Sequence, residues 1–139
     1  MNRDDILAEY ERRRVACAKF RRIIEMLLEY DIPSPREVRL GHLRWGRHPA
    51  RAHSPAGYFY GFVGLDLHAV TGELNGYVFA VSGYEDKKWR QLFSAKVMVD
   101  DESKLEDVIG QFTVVLSEAV LERPAPKRRT TVGDSGLEI

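Results

Sequence analysis

Five arginines, three histidines and one tryptophan fall within residues 36–53, against a single carboxylate, Glu37. Clustered guanidinium groups suit planar anions, carboxylates or phosphates, which they hold through paired N–H donors. Arg39, Arg44, Arg47 and Arg51 are the candidate anion contacts. Trp45 lies between them, placed by sequence for stacking or a cation–π contact. A second constellation follows. Tyr58, Tyr60 and Phe62 alternate along a strand-like run and so share one of its faces. On an uncovered sheet such a row is a docking surface. Tyrosine and phenylalanine are favoured at the buried centres of interfaces.

The remaining reactive residues make weaker patterns. His42, His48 and His53 are spaced by six and five, with no cysteine nearby. Zinc sites use shorter paired spacings and often thiolates, so no metal is assigned. Asp66 and His68 point to one side of the same strand and form a candidate acid–base pair. No Gly-x-Ser-x-Gly elbow, phosphate-cradling glycine loop or pair of catalytic carboxylates accompanies them. Cys17 lies on an apolar helical stripe and reads as a small core residue. The expectation is a non-enzymatic protein with no catalytic residues and no cofactor.

Composition sets the frame. The chain has 139 residues, 44% of them hydrophobic and 30% charged, which suits one globular domain. A single cysteine allows no internal disulfide and fits a reducing compartment. The start, Met1-Asn2-Arg3-Asp4-Asp5, has no apolar segment of a secretion signal, and no run is long enough to span a bilayer. A cytoplasmic setting follows as the expectation. Net charge is zero, with 21 basic and 21 acidic residues. The charges are segregated: residues 100–122 hold seven carboxylates and one lysine, while the stretch from residue 123 holds four basic and two acidic residues. Segregation favours oriented contacts over bulk attraction to nucleic acid, which usually accompanies a clearly basic domain.

Two helices and a sheet must position these residues. Three-four spacing of Tyr10, Cys17, Phe20, Ile24 and Leu27 predicts a helix over 4–30, ended by Pro33 and Pro35. Residues 37–45 read as one strand with a bulge at Gly41, and 46–57 as a long loop. Strands follow at 58–70, 77–84 and 89–99, with Asn75-Gly76 as the turn dipeptide of the first hairpin. Ser103-Lys104-Leu105-Glu106 reads as a capping box for a final helix ending at Pro124.

The expected fold is α+β: a long N-terminal helix, a four-stranded antiparallel meander and a C-terminal helix, with both helices on one sheet face. Residues 1–124 form the single domain and 125–139 a flexible tail. The double-stranded-RNA-binding domain shares this order but expects a basic start to its last helix. Asp100-Asp101-Glu102 stands there, which rules it out. The expected function is protein binding, as an accessory or inhibitor protein of the kind phages and mobile elements encode. It would use the aromatic face and the arginine loop against an acidic partner surface, with self-pairing into a homodimer and no membrane contact. The alternative is a nucleic-acid-binding module built on the segment 36–51 and the basic tail.

Overall fold

The computed structural model describes residues 2–46, 59–85 and 88–122. Helix α1 (Arg3–Leu27) is followed by strands β1 (Glu37–Arg39), β2 (His42–Gly46), β3 (Phe59–Leu67), β4 (Leu74–Glu85) and β5 (Lys88–Met98). A 3-10 segment (Val99–Lys104) then leads into α2 (Leu105–Glu122). The strands form one antiparallel sheet in sequence order, each hydrogen-bonded to its neighbour in the chain. The α+β class and the two helices on an antiparallel sheet are as the sequence predicts. The strand count is five, not four.

The extra strand comes from Gly41. Leu40 and Gly41 form a two-residue hairpin loop, closed by the Arg39–His42 pair. Gly41 has φ of +94°, a conformation in which a side chain is strained. A glycine that reads as a bulge within one strand is therefore the turn between two. The next hairpin also differs. Its positive φ belongs to Gly72, at +74°, while Asn75 and Gly76 already lie within β4.

The helix ends follow local hydrogen-bond chemistry. At α1, Asn2 accepts the Asp5 amide at 2.9 Å and the Asp5 carboxylate accepts the Asn2 amide, a reciprocal capping box. The predicted box at Ser103 does not form. Ser103 lies in the 3-10 segment and donates to Asp101 Oδ1 at 3.3 Å. The chain kinks at Asp101, which has φ −125° and ψ 41°, so the geometry of a straight helix start is lost.

One core lies between the sheet and the two helices. From α1 it takes Phe20, Ile23 and Leu27, and from α2 Leu105, Ile109, Phe112, Leu116 and Ala119. The sheet supplies Leu43, Trp45, Val63, Tyr77, Phe79, Val81 and Val97. Period-2 alternation puts these strand residues on the same face. Phe112 is fully buried and meets Trp45, Phe79 and Phe93 at ring-centroid distances of 5.6, 5.8 and 6.3 Å. Such tilted and edge contacts add to the burial of area. Gly61 lets α2 come close: a Cβ there would lie 2.8 Å from Leu116 Cδ1 and 3.3 Å from Trp45 Cβ. The α1 stripe is narrower than its spacing suggests, since Tyr10 and Leu28 are exposed.

A carboxylate ties α1 to the rest. Glu102 accepts Lys19 Nζ at 2.8 Å, Arg22 Nη1 at 2.6 Å and the hydroxyl of buried Tyr77 at 2.8 Å. Its side chain keeps 17% of its exposure. Burial works against the charge, but the hydrogen bonds from Lys19 and Tyr77 prevail and hold the carboxyl below its ordinary value of 4.5.

Two outcomes follow from this packing. Phe112→Ala should cost about 3–5 kcal/mol of unfolding free energy in a urea titration. Glu102→Gln should cost roughly 2 kcal/mol at neutral pH. Because folding lowers the Glu102 pKa, its stabilisation is complete above 4.5 and is lost as pH falls through the folded value. Wild-type stability, followed by melting temperature, should therefore drop below about pH 4.5 more steeply than that of Glu102→Gln.

Candidate functional site: the open face of the sheet

Alternation leaves the second sheet face with its own set of side chains. The strand registers place Glu37, Arg44, Phe62, Ala80 and Ser94 in one row across all five strands. Arg39, His42, Gly64, Val78 and Lys96 form the next. Tyr60, Ser82 and Gln91 form a third, and Tyr84 with Trp89 a fourth. Among the described residues, neither helix contributes to the core from this side.

Aromatic rings give the face its relief. His42 stacks on Phe62 with centroids 5.9 Å apart, and the Arg44 guanidinium carbon lies 5.9 Å from the Phe62 centroid. Tyr84 meets Trp89 edge-on at 5.7 Å. Trp89 reaches this face because of a bulge. The register slips between Val81 and Ser82, leaving Leu92 unpaired and reversing the alternation of β5 beyond it. Phe93, Ala95 and Val97 face the helices, while Gln91 and Trp89 face away. Tyr60 is half-buried, and burial raises the pKa of its hydroxyl.

The charged groups on the face are largely committed to one another. Glu37 accepts Arg39 Nε at 2.8 Å and Arg44 Nη1 at 3.2 Å. The hydrogen bond from Arg39 holds the Glu37 carboxyl below its ordinary value. His42 Nε2 lies 3.7 Å from Glu37 Oε1 and, with Arg44 Nε, is buried without a hydrogen-bond partner. At the other flank, Lys96 Nζ pairs with Asp66 at 2.7 Å.

The predicted site residues separate. Arg39, Arg44, Tyr60 and Phe62 come together on the open face. Trp45 does not join them. It pairs with Gly61 on the helix side, is 1% exposed, and donates its indole N–H to Pro33 O at 2.8 Å. The odd position next to the even Arg44 turns inward, so the Trp45 ring is a core element and offers no stacking surface. Arg47, Arg51, His48, His53 and Tyr58 lie outside the described residues. Asp66 and His68 are not brought together. Asp66 bonds Lys96, whereas His68 lies beyond the end of β3, where Nδ1 accepts the amides of Val70 and Thr71 at 3.2 Å. His68 closes a turn. Glu37, His42, Tyr84 and Trp89 also belong to this face, which spacing alone does not reveal. Their parity was readable only with the Gly41 turn and the Leu92 bulge in hand.

Elsewhere, a cleft of about 260 Å³ between α1 and the β3–β4 connection is lined by Glu11, Arg12, Val15, Lys19, Glu73 and Leu74. Its cations are engaged, Arg12 with Glu9 and Lys19 with Glu102. No group of three or more metal-ligating side chains occurs among the described residues. No described helix is long and apolar enough to cross a membrane.

Arg44 both neutralises Glu37 and covers Phe62, so Arg44→Ala should cost about 1 kcal/mol in urea unfolding. Arg39 is mostly exposed, and Arg39→Ala should change stability by less than about 0.5 kcal/mol. No known protein family, curated protein or solved structure matches the chain.

Proposed function

We propose that this chain works by binding another protein, without catalysis, through the open sheet face and the arginines beside it. The observation that carries the reading is the row of half-buried rings, Tyr60, Phe62, Tyr84 and Trp89, on a face to which neither helix contributes. Large apolar groups at a surface favour a partner that removes them from water. Arg36, Arg39 and Arg44 around one Glu37 favour an acidic partner surface. A small accessory or inhibitor protein fits these properties, of the kind that phages and mobile elements encode. The setting we propose is cytoplasmic, in keeping with one unpaired thiol, Cys17.

The arginine segment also motivates a second reading, a nucleic-acid-binding module. One observation weighs against it: the Trp45 ring, which would stack on bases, is buried.

The test places a photo-crosslinking residue at Ser94 on the open face and, as a control, at exposed Glu118 on α2. A discrete protein adduct from position 94, absent from position 118 and competed away by untagged protein, is the expected result. Adducts indifferent to position would count against the reading. Sub-micromolar binding of labelled DNA or RNA would replace it with the second one if the log–log salt slope is about −3 to −4, as four phosphate contacts require, and if Arg39→Ala/Arg44→Ala abolishes it.

A further inference from the structure

Helix α1 is joined to the rest of the fold unevenly along its length. No residue from 3 to 15 is buried, and Ile6, Leu7 and Tyr10 are more than half exposed. The buried positions are Ala16, Phe20, Ile23 and Leu27. Three of these belong to the core of fifteen buried residues. The remaining twelve come from the sheet and α2, which therefore keep a core of their own without α1. Among the described residues, both ion pairs that join α1 to another element end on one carboxylate, those of Lys19 and Arg22 with Glu102. We propose that α1 is a hinged lid on this core, which opens as one unit about a pivot at Pro33 and is latched by Glu102.

Local contacts hold the helix together whether or not it is docked. Asn2 and Asp5 cap its start. Along it, Glu9 pairs with Arg12 and Arg13, Glu11 with Arg14, and Arg21 with Glu25. At 25 residues, α1 exceeds the roughly 12–15 at which an isolated helix is marginal. The pivot is set by β2. The Pro33 carbonyl accepts the buried Trp45 indole N–H at 2.8 Å, and the Arg36 amide donates to Arg44 O at 2.7 Å. Between helix and pivot the backbone is tied only to itself. The amides of Leu28, Glu29 and Tyr30 donate back into α1, and that of Ile32 donates to Tyr30 O. A rotation confined to this stretch breaks no hydrogen bond of the sheet, as a hinge requires.

The latch is ionic. Lys19 and Arg22 of α1 and the Tyr77 hydroxyl of β4 all donate to Glu102. Next to it in the chain, Asp101 is paired with Lys104, and the cleft beside Lys19 carries Glu11, Arg12 and Glu73. When the lid opens, Lys19 and Arg22 leave, while Tyr77 and Glu102 stay together on the core. The carboxylate charge therefore bears mainly on the lid. Its donors hold the closed form below the ordinary value of 4.5, so the latch is charged at neutral pH and proton uptake on acidification releases it. Opening uncovers Phe20, Ile23 and Leu27 and the apolar groups beneath them. That surface lies on the helix side of the sheet, opposite Tyr60 and Phe62.

Native-state hydrogen exchange of the full chain, read by NMR as protection factors, tests the lid. Amides of residues 20–27 should be at least about a hundred-fold less protected than those of Phe79 and Phe112, because α1 exchanges by opening and the core only by unfolding. Near neutral pH, Glu102→Gln should lower the protection of α1 at least about ten-fold. Below pH 4.5 the wild-type protection of α1 should fall towards that of Glu102→Gln, which has no charge to lose. Phe112→Leu loosens the core that stays behind. It should lower the protection of β4 and α2 about ten-fold and leave α1 unchanged. The wild-type comparison stands without any variant. Equal protection in α1, β4 and α2 would mean a single cooperative unit and overturns the lid. Protection that rises steadily from residue 3 to residue 27 would mean fraying from the first turn and overturns it equally. Exchange of α1 that is indifferent to Glu102→Gln overturns the latch.

Discussion

Phe112 is the point from which the architecture is set. Its ring touches Trp45 on β2, Phe79 on β4 and Phe93 on β5, so three strands are fixed relative to one helix by a single side chain. Gly61 completes the arrangement on β3, where the missing Cβ lets Leu116 and Trp45 close over the strand. Close packing leaves little freedom to such a cluster, because a small displacement of any ring opens a void or forces a clash. With α2 seated this way, the helix-facing parity of every strand is determined. The opposite parity, and hence the membership of the open face, is determined with it.

Glu102 performs a different task. A carboxylate at 17% exposure is costly to desolvate, and its three donors come from elements distant in sequence. Lys19 and Arg22 belong to α1 and Tyr77 to β4, so the contact fixes the angle of α1 across the sheet. Apolar contacts from Phe20, Ile23 and Leu27 provide the burial, but they are non-directional. The ionic contact supplies the direction.

The sequence was legible where periodicity is strong. The apolar pattern of Leu105, Ile109, Phe112 and Leu116 marks α2 correctly, and the alternation of β3 identifies its two faces. Legibility fails where one residue changes the parity or the type of a turn. Gly41 divides a run that otherwise reads as one strand, since sequence alone does not separate a bulge glycine from a left-handed turn glycine. Leu92 shifts β5 by one residue without any glycine or proline to mark it. Ser103 satisfies the capping-box pattern, yet the Glu102 contact and the kink at Asp101 take precedence over it. At the candidate site, residue type and spacing single out Arg39 and Arg44 in one constellation and Tyr60 and Phe62 in another, and only the strand registers put the four on one face. Trp45 was misplaced because its neighbours suggested stacking, while its odd position in β2 turned it inward.

The reach of Glu102 also bears on synthesis. Its partners Lys19 and Arg22 precede it by 83 and 80 residues, so α1 leaves the ribosome long before its anchor exists. At about 5–20 residues per second, that gap is roughly 4–16 s. For the first part of it, until β3 and β4 have been made, Phe20, Ile23 and Leu27 have no sheet to cover them. The hairpins from β1 to β5 join sequence neighbours, contacts that need little loop closure, whereas the Glu102 contact of α1 spans most of the domain. Helix α1 is thus made well before the carboxylate that anchors it, and over that interval the nascent chain carries an amphipathic helix that chaperones are suited to shield.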